Sequence, residues 1–194
     1  MLRRFATAAL LIAALAGLSG CSAWDKVTGQ EEEHAVKEGE TEGIYLTVGD
    51  LRYQVQISRV LNPYDLEDRE YLYQVPQADA ELGKENQWFG VFMRVQNETE
   101  KPRQTASRFR IEDTTGEEFQ PIAQEPELNP HFYSQIELEA GDVFPNLDTT
   151  AGSSTTQGAL LLFKIPTKTL ENRPLVLHIE APTGADKGEV DLDV

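Results

Sequence analysis

A single cysteine, Cys21, stands in a chain of 194 residues, so no disulfide can form within it. Histidine is almost as scarce. His34, His131 and His178 lie far apart, without an i,i+4 pair or a second thiolate, so a zinc site has no support. Basic charge is thin, with 17 Lys+Arg against 33 Asp+Glu and a net charge of −16. Such a surface repels nucleic acid and anionic headgroups, and it suits solvation, a divalent cation or a cationic partner. No apolar run reaches the ~20 residues that a spanning helix needs. No stretch carries a convincing amphipathic-helix period, which leaves strands to build the fold.

Catalytic patterns are missing as well. Asp113-Thr114-Thr115-Gly116 has the wrong spacing for a carboxylate pair sharing a proton, and reads as a hairpin turn. Gly152 to Thr156 reads as a flexible loop, without the Gly-x-Ser-x-Gly of a nucleophile elbow. Asp142 and Asp148 flank an oxygen-rich loop but lack the spacing of an EF-hand, so neither calcium nor any other cofactor is expected. Asn97-x-Thr99 matches a glycosylation sequon by chance. The chain is therefore expected not to be an enzyme.

What is present begins with an address. Met1 to Gly20 has a charged start, an apolar middle of about a dozen residues and a small-residue end, the layout of a secretory signal. Leu18-Ser19-Gly20-Cys21 resembles the lipobox of bacterial lipoproteins. That resemblance implies cleavage before Cys21 and a diacylglycerol on its sulfur, and two or more acyl chains hold a protein stably on a membrane. Ser22, a non-aspartate, would by the same resemblance permit export to an outer membrane. Arg3 and Arg4 are the charged residues of the leader, so its removal takes the net charge from −16 to −18. Residues 21–42 are acidic and poor in apolar residues, and read as a disordered tether. As a flexible coil it would span about 25 Å.

Residues 43–181 read as one domain of strands. Ile44 to Val48 is a strand and Gly49-Asp50 a tight turn. In the next strand Leu51, Tyr53, Val55 and Ile57 alternate with polar residues, the period of a half-buried strand. Residues 61–86 form a long loop with Tyr64, Tyr71 and Tyr73, part of which, around Tyr71 to Val75, reads as an edge strand. Trp88 to Gln96 is the strongest strand, with Val91, Met93 and Val95 on one face and Trp88 and Phe92 on the other. Phe109 to Asp113 and Glu118 to Pro121 form a hairpin. Ile136 to Leu138 is a short strand. The apolar run Gly158 to Pro166 reads as a central strand, and Leu175 to Glu180 closes the set, with His178 facing solvent or a polar edge. Residues 182–194 read as a loose acidic tail. Seven or eight strands without a helix imply an all-β, immunoglobulin-like antiparallel sandwich, alike in architecture only because the Cys–Trp–Cys framework is missing.

The stretches Phe89 to Asn97, Phe109 to Phe119, Leu138 to Gly141 and Gly158 to Pro166 resemble a family of secreted bacterial immunoglobulin-like domains of unknown function. More distantly, the chain resembles a mycobacterial secreted immunogenic protein of the same sandwich type. The resemblance implies the sandwich fold and carries no catalytic residue. Aromatic residues in the long loops, Tyr64, Tyr71, Trp88, His131, Phe132 and Tyr133, form a candidate binding patch at one end of the sandwich, or else plugs over it. The expectation is a membrane-anchored envelope protein that binds a protein or peptide partner. A structural envelope role, or a hydrolase with a site assembled from distant residues, is the alternative.

Overall fold

A computed structural model describes residues 36–39, 41–76, 80–123 and 125–194. The leader, Cys21, His34 and the tether as far as residue 35 lie outside the described residues. In chain order the strands begin β1 (Lys37–Gly39), β2 (Tyr45–Val48), β3 (Leu51–Leu61), β4 (Asn86–Gln96), β5 (Arg103–Gln104) and β6 (Arg108–Glu112). They continue β7 (Glu118–Phe119), β8 (Glu137–Leu138), β9 (Val143–Phe144), β10 (Ala159–Pro166), β11 (Leu175–Glu180) and β12 (Lys187–Leu192). Among the described residues they are interrupted by the short helices α1 (Leu66–Tyr71) and α2 (Thr150–Ser153) and by a 3-10 turn at Thr167–Glu171. Seven of these strands have four or more residues, in line with the number read from the sequence.

The chain is an antiparallel β-sandwich. One sheet runs β1-β12-β11-β6-β7 and the other β10-β4-β3-β2, with β9 continuing along β4 and β5 pairing with β8. The main core lies between the sheets. Leu51, Tyr53, Val55, Val91, Met93, Val95 and Phe163 enter it from one side, and Phe109, Ile111, Leu177, Ile179 and Val190 from the other. A second core lies on the outer face of the β4 sheet and gathers Leu61, Tyr71, Trp88, Phe92, Phe132, Leu160 and Leu162. The split of β4 into two apolar faces is as its sequence implies.

Two glycines make close packing possible. A Cβ on Gly90 would meet Leu160, Leu61 and Phe92 at 3.0–3.2 Å, and one on Gly188 would press within 2.6 Å of Val48 and Leu46. Both positions need a residue without a side chain for the neighbouring strand to approach.

Four expectations are corrected. Residues 187–192 are not a loose tail but β12, paired along its length with β11. Val190 and Leu192 alternate with Glu189 and Asp191, and this period of two outweighs the acidic composition. Residues 37–39 of the expected tether are a strand, β1, parallel to β12. Ile57 does not follow Val55 into the core. A β-bulge falls between them, so Val55 pairs with Met93 and Ile57 with Phe92, and the faces exchange. Finally, β10 ends its sheet, with β4 as its ladder partner. Its continuous apolar run is explained by burial on both faces. Its outer edge is covered by backbone hydrogen bonds from Ile122 and Tyr133 and to His131.

β4 terminates at Asn97, which is fully buried. The Asn97 amide nitrogen donates to the carbonyls of Leu138, Lys101 and Glu139 at 2.8, 2.9 and 3.1 Å. Its oxygen accepts from the Thr99 backbone and hydroxyl at 3.0 and 2.7 Å. One side chain thus joins the end of β4 to the turns around it, and the sequon nitrogen is occupied. Replacing Asn97 by Ala removes a donor from each of those carbonyls and the acceptor of the Thr99 backbone at the end of β4, so Asn97→Ala lowers unfolding free energy by roughly 1–3 kcal/mol, measured by chemical denaturation.

Candidate functional site

The bulge in β3 turns Arg59 and Leu61 onto the outer face of the β4 sheet, and the chain then has to cover that face. It does so with α1 rather than with the edge strand expected near Tyr71. Asp65 caps the helix, its carboxylate accepting from the backbone N–H groups of Glu67 and Asp68, and Glu67 and Asp68 suit the positive end of the helix dipole. The buried Asp68 accepts from the Asn62 backbone at 2.7 Å and pairs with Arg59 at 2.5 Å. Arg59 in turn lies over the rings of Tyr71 and Phe92. Tyr71 and Leu61 then seal the second core.

A second segment, residues 125–133, closes the same face. Asn129 is buried. Its side-chain nitrogen donates to the carbonyls of Glu70 and Tyr73 at 2.9 Å each, and its oxygen accepts from the His131 backbone at 3.0 Å. This residue ties the helix to the 125–133 segment. The His131 ring stands edge-on to Tyr71 at 4.8 Å. Burial lowers its pKa against the opposing pull of Glu70, so the ring is held neutral, and its Nδ1 is buried without a hydrogen-bond partner.

The six residues expected as a patch therefore divide. Tyr64 is 92% exposed. Tyr71, Trp88, His131, Phe132 and Tyr133 are buried, so they support the surface instead of forming it. The cause is that β4 and β10 present large apolar side chains on their outer face, and burying these outweighs exposing aromatics. Tyr133 reaches the main core, where its hydroxyl donates to the Ala106 carbonyl at 2.8 Å while the Tyr53 hydroxyl accepts from the Ala106 N–H at 2.8 Å. Burial pushes the Tyr53 hydroxyl up to about 12 and that of Tyr133 higher than usual.

What the surface does present is Tyr64 with Leu66, Tyr73 and Leu128, which are 75%, 59% and 49% exposed. Leu66 and Tyr73 border an open groove of about 800 Å³, whose walls combine Pro63, Leu72 and Pro130 with Arg69, Glu70 and Gln74. Leu66 is not singled out by the sequence, and Leu128 and Asn129 fall in the stretch Pro126 to Tyr133 from which the patch residues His131, Phe132 and Tyr133 are drawn, but not among those residues. The Asp65-Leu66-Glu67-Asp68 run, a cap followed by an acidic first turn, was the signal that marked the helix.

Elsewhere the polar groups are structural. His178 lies on the outer face of β11, with Nδ1 3.2 Å from Glu189 and Nε2 3.2 Å from Glu112, the latter poorly aligned for a hydrogen bond. Arg110 joins Glu118, and Arg108 joins Glu180, across the same face. Cross-strand pairs of this half-exposed kind contribute little each. The cleft of about 470 Å³ beside them is walled by Phe109, Ile122 and Leu162 as well as by these charges. The segment read as a loop at Gly152 starts within α2, capped by Thr149. Among the described residues no group of three potential metal ligands occurs, and no helix is long and apolar enough to cross a membrane.

No protein-family model matches the chain, and no curated protein matches it. Solved structures similar to it include the YjhA protein of Bacillus subtilis, 15% identical, with 80% of this chain and all of that chain covered and a TM-score of 0.49. An uncharacterised β-sandwich protein of Clostridium difficile is 11% identical over 84% of this chain and 99% of its own, TM-score 0.47. The secreted protein MPT63 of Mycobacterium tuberculosis is 12% identical over 81% and 98%, TM-score 0.47. No residue role passes from them to this chain.

Two variants check this account. Asp68→Asn removes the charge paired with Arg59 and lowers stability by roughly 1–3 kcal/mol. Amide exchange in residues 62–73 then accelerates more than in β4, because the loss is local. Asp113 is the second case. Desolvation works to raise its pKa, but hydrogen bonds from Thr115, Asn172 and the Glu117 backbone outweigh this and hold it at about 2, against an ordinary 3.8. A depressed carboxylate stabilises the fold above its unfolded pKa and loses that contribution as pH falls. The stability difference between wild type and Asp113→Asn therefore shrinks as pH falls from about 4 through about 2, read from denaturation midpoints across that range.

Proposed function

We propose that this chain is a lipid-anchored envelope protein outside the cytoplasm, acting as a non-enzymatic binding or adaptor module. The leader pattern ending at Leu18-Ser19-Gly20-Cys21 supports the anchor. The observation that carries the binding reading is the α1 face. Tyr64, Leu66, Tyr73 and Leu128 stay in water although an apolar core lies directly beneath them. Their loops are not slack, since Asp65, Asp68 and Asn129 fix them by hydrogen bonds. Apolar side chains held out on fixed loops are suited to docking, because the ordering cost has been met before a partner arrives. The anchor would hold the domain at the membrane, and the α1 face would supply recognition.

Cys21→Ser should move the protein from the membrane to the soluble fraction and abolish lipid labelling, with an unchanged unfolding midpoint. Retention in the membrane fraction would sink the anchor. For binding, a photo-crosslinking residue at position 64 on intact cells should yield a discrete adduct that the same residue at position 176, on the opposite sheet, does not. Equal labelling from both positions would remove the α1 face from consideration.

A further inference from the structure

We infer that the groove on the α1 face takes an uncharged oligosaccharide segment of an envelope glycan. This rests on the reading of that face as a binding surface and names the chemistry of its occupant. Pro63, Tyr73 and Pro130 give the lining apolar rings, while Arg69, Glu70 and Gln74 give it polar groups. One cation set against one anion selects neither a cationic nor an anionic ligand. Arg69, Glu70 and Gln74 are exposed, and their side chains form no hydrogen bond or ion pair with any described residue. They offer a planar fork of donors, a pair of acceptor oxygens, and one amide with both. Neighbouring hydroxyls on a sugar ring each donate and accept, and their spacing matches a guanidinium fork or the two oxygens of a carboxylate. The C–H face of the same ring is apolar and suits the negative face of an aromatic side chain. Tyr73, 59% exposed, supplies one. Other occupants fit less well. A lipid tail would leave the polar lining without partners. In an extended peptide the N–H groups on one side recur about every 6.7 Å, too far apart for one carboxylate to take two.

The polar groups are also fixed in position. The Asn129 amide nitrogen donates to the carbonyls of Glu70 and Tyr73 at 2.9 Å each, so the backbones that carry the carboxylate and the ring are tied to one point. Beside them Gln74 has φ of 59°, a left-handed conformation uncommon for a residue with a side chain. Strain of this kind gathers where a surface must be presented in one shape. His131 borders the groove, is 4% exposed, and keeps Nδ1 without a hydrogen-bond partner. A buried polar atom left unpaired is costly, and a hydroxyl can answer an imidazole nitrogen in either tautomer because it both donates and accepts.

The test uses the full-length protein in detergent on an oligosaccharide array. Neutral chains of glucose, mannose and N-acetylglucosamine stand on it beside uronic-acid and sulfated chains. Neutral chains should bind, more tightly as they lengthen, and added salt should leave the affinity unchanged because no ligand charge is screened. Tyr73→Ala should weaken binding by roughly tenfold through the lost ring. Glu70→Gln should weaken it by roughly tenfold as well, since bonds to a charged group give way to neutral ones. Lys168→Gln, at an exposed position on the 3-10 turn, should leave it unchanged. All three positions are exposed, and matched unfolding midpoints verify that the fold persists. Binding confined to charged chains, or neutral binding that ignores Tyr73→Ala, overturns the proposal. An array on which no neutral chain binds overturns it too. If a photo-crosslinker at position 64 then captures a protein that position 176 does not, the α1 face stands as a binding surface with another occupant. If positions 64 and 176 label equally, both readings fail.

Discussion

The central constraint is that β4 and β10 are apolar on both faces. Val91, Met93 and Phe163 point into the sandwich, while Trp88, Phe92, Leu160 and Leu162 point away from it. A second sheet satisfies the inner face, but nothing in a two-layer sandwich covers the outer one. Burying such side chains is worth about 1.5–3 kcal/mol each, so a cover is required. The segment 62–76, with α1, and residues 122–123 and 125–133 supply it. The long connections are thus a third layer rather than slack between strands, and the groove exists because two covering segments meet over one sheet face.

A covering layer without regular ladders has to satisfy its backbone by other means. Here single polar side chains do so. Asp65 caps α1, Asp68 takes the Asn62 N–H while pairing with Arg59, and Asn129 bridges four backbone groups of two segments. Asn97 has the same role at the other end of β4, as does Asp113 in the β6–β7 turn. Tyr53 and Tyr133 use their hydroxyls to hold both backbone groups of Ala106.

The two outer faces of the sandwich therefore differ in character. The β11 face carries charges of both signs paired across strands, so its field is largely cancelled at short range. The α1 face has exposed apolar residues, Tyr64, Leu66, Tyr73 and Leu128, beside a groove lined by both Arg69 and Glu70. Of the two, the α1 face leaves large apolar side chains in water on fixed loops, and this asymmetry is what directs a functional reading towards it.

Strand period, turn residues and apolar runs were enough to identify the sandwich, the β6–β7 hairpin and the two-faced β4, because these depend on neighbours near in sequence. The acidic balance is likewise legible without a structure. Which aromatics face water was not legible. Tyr64 and Tyr71 are of one residue type in one segment, yet one is exposed and the other buried, and the difference is set by the outer face of a sheet they do not belong to. The bulge that redirects Ile57 and the pairing of β12 are also decided between strands, where register is a property of two strands together and not of either alone. The sequence by itself determined which residues could be buried. Only the tertiary structure decided where the burial stopped, because that boundary depends on how much apolar surface distant strands had left uncovered.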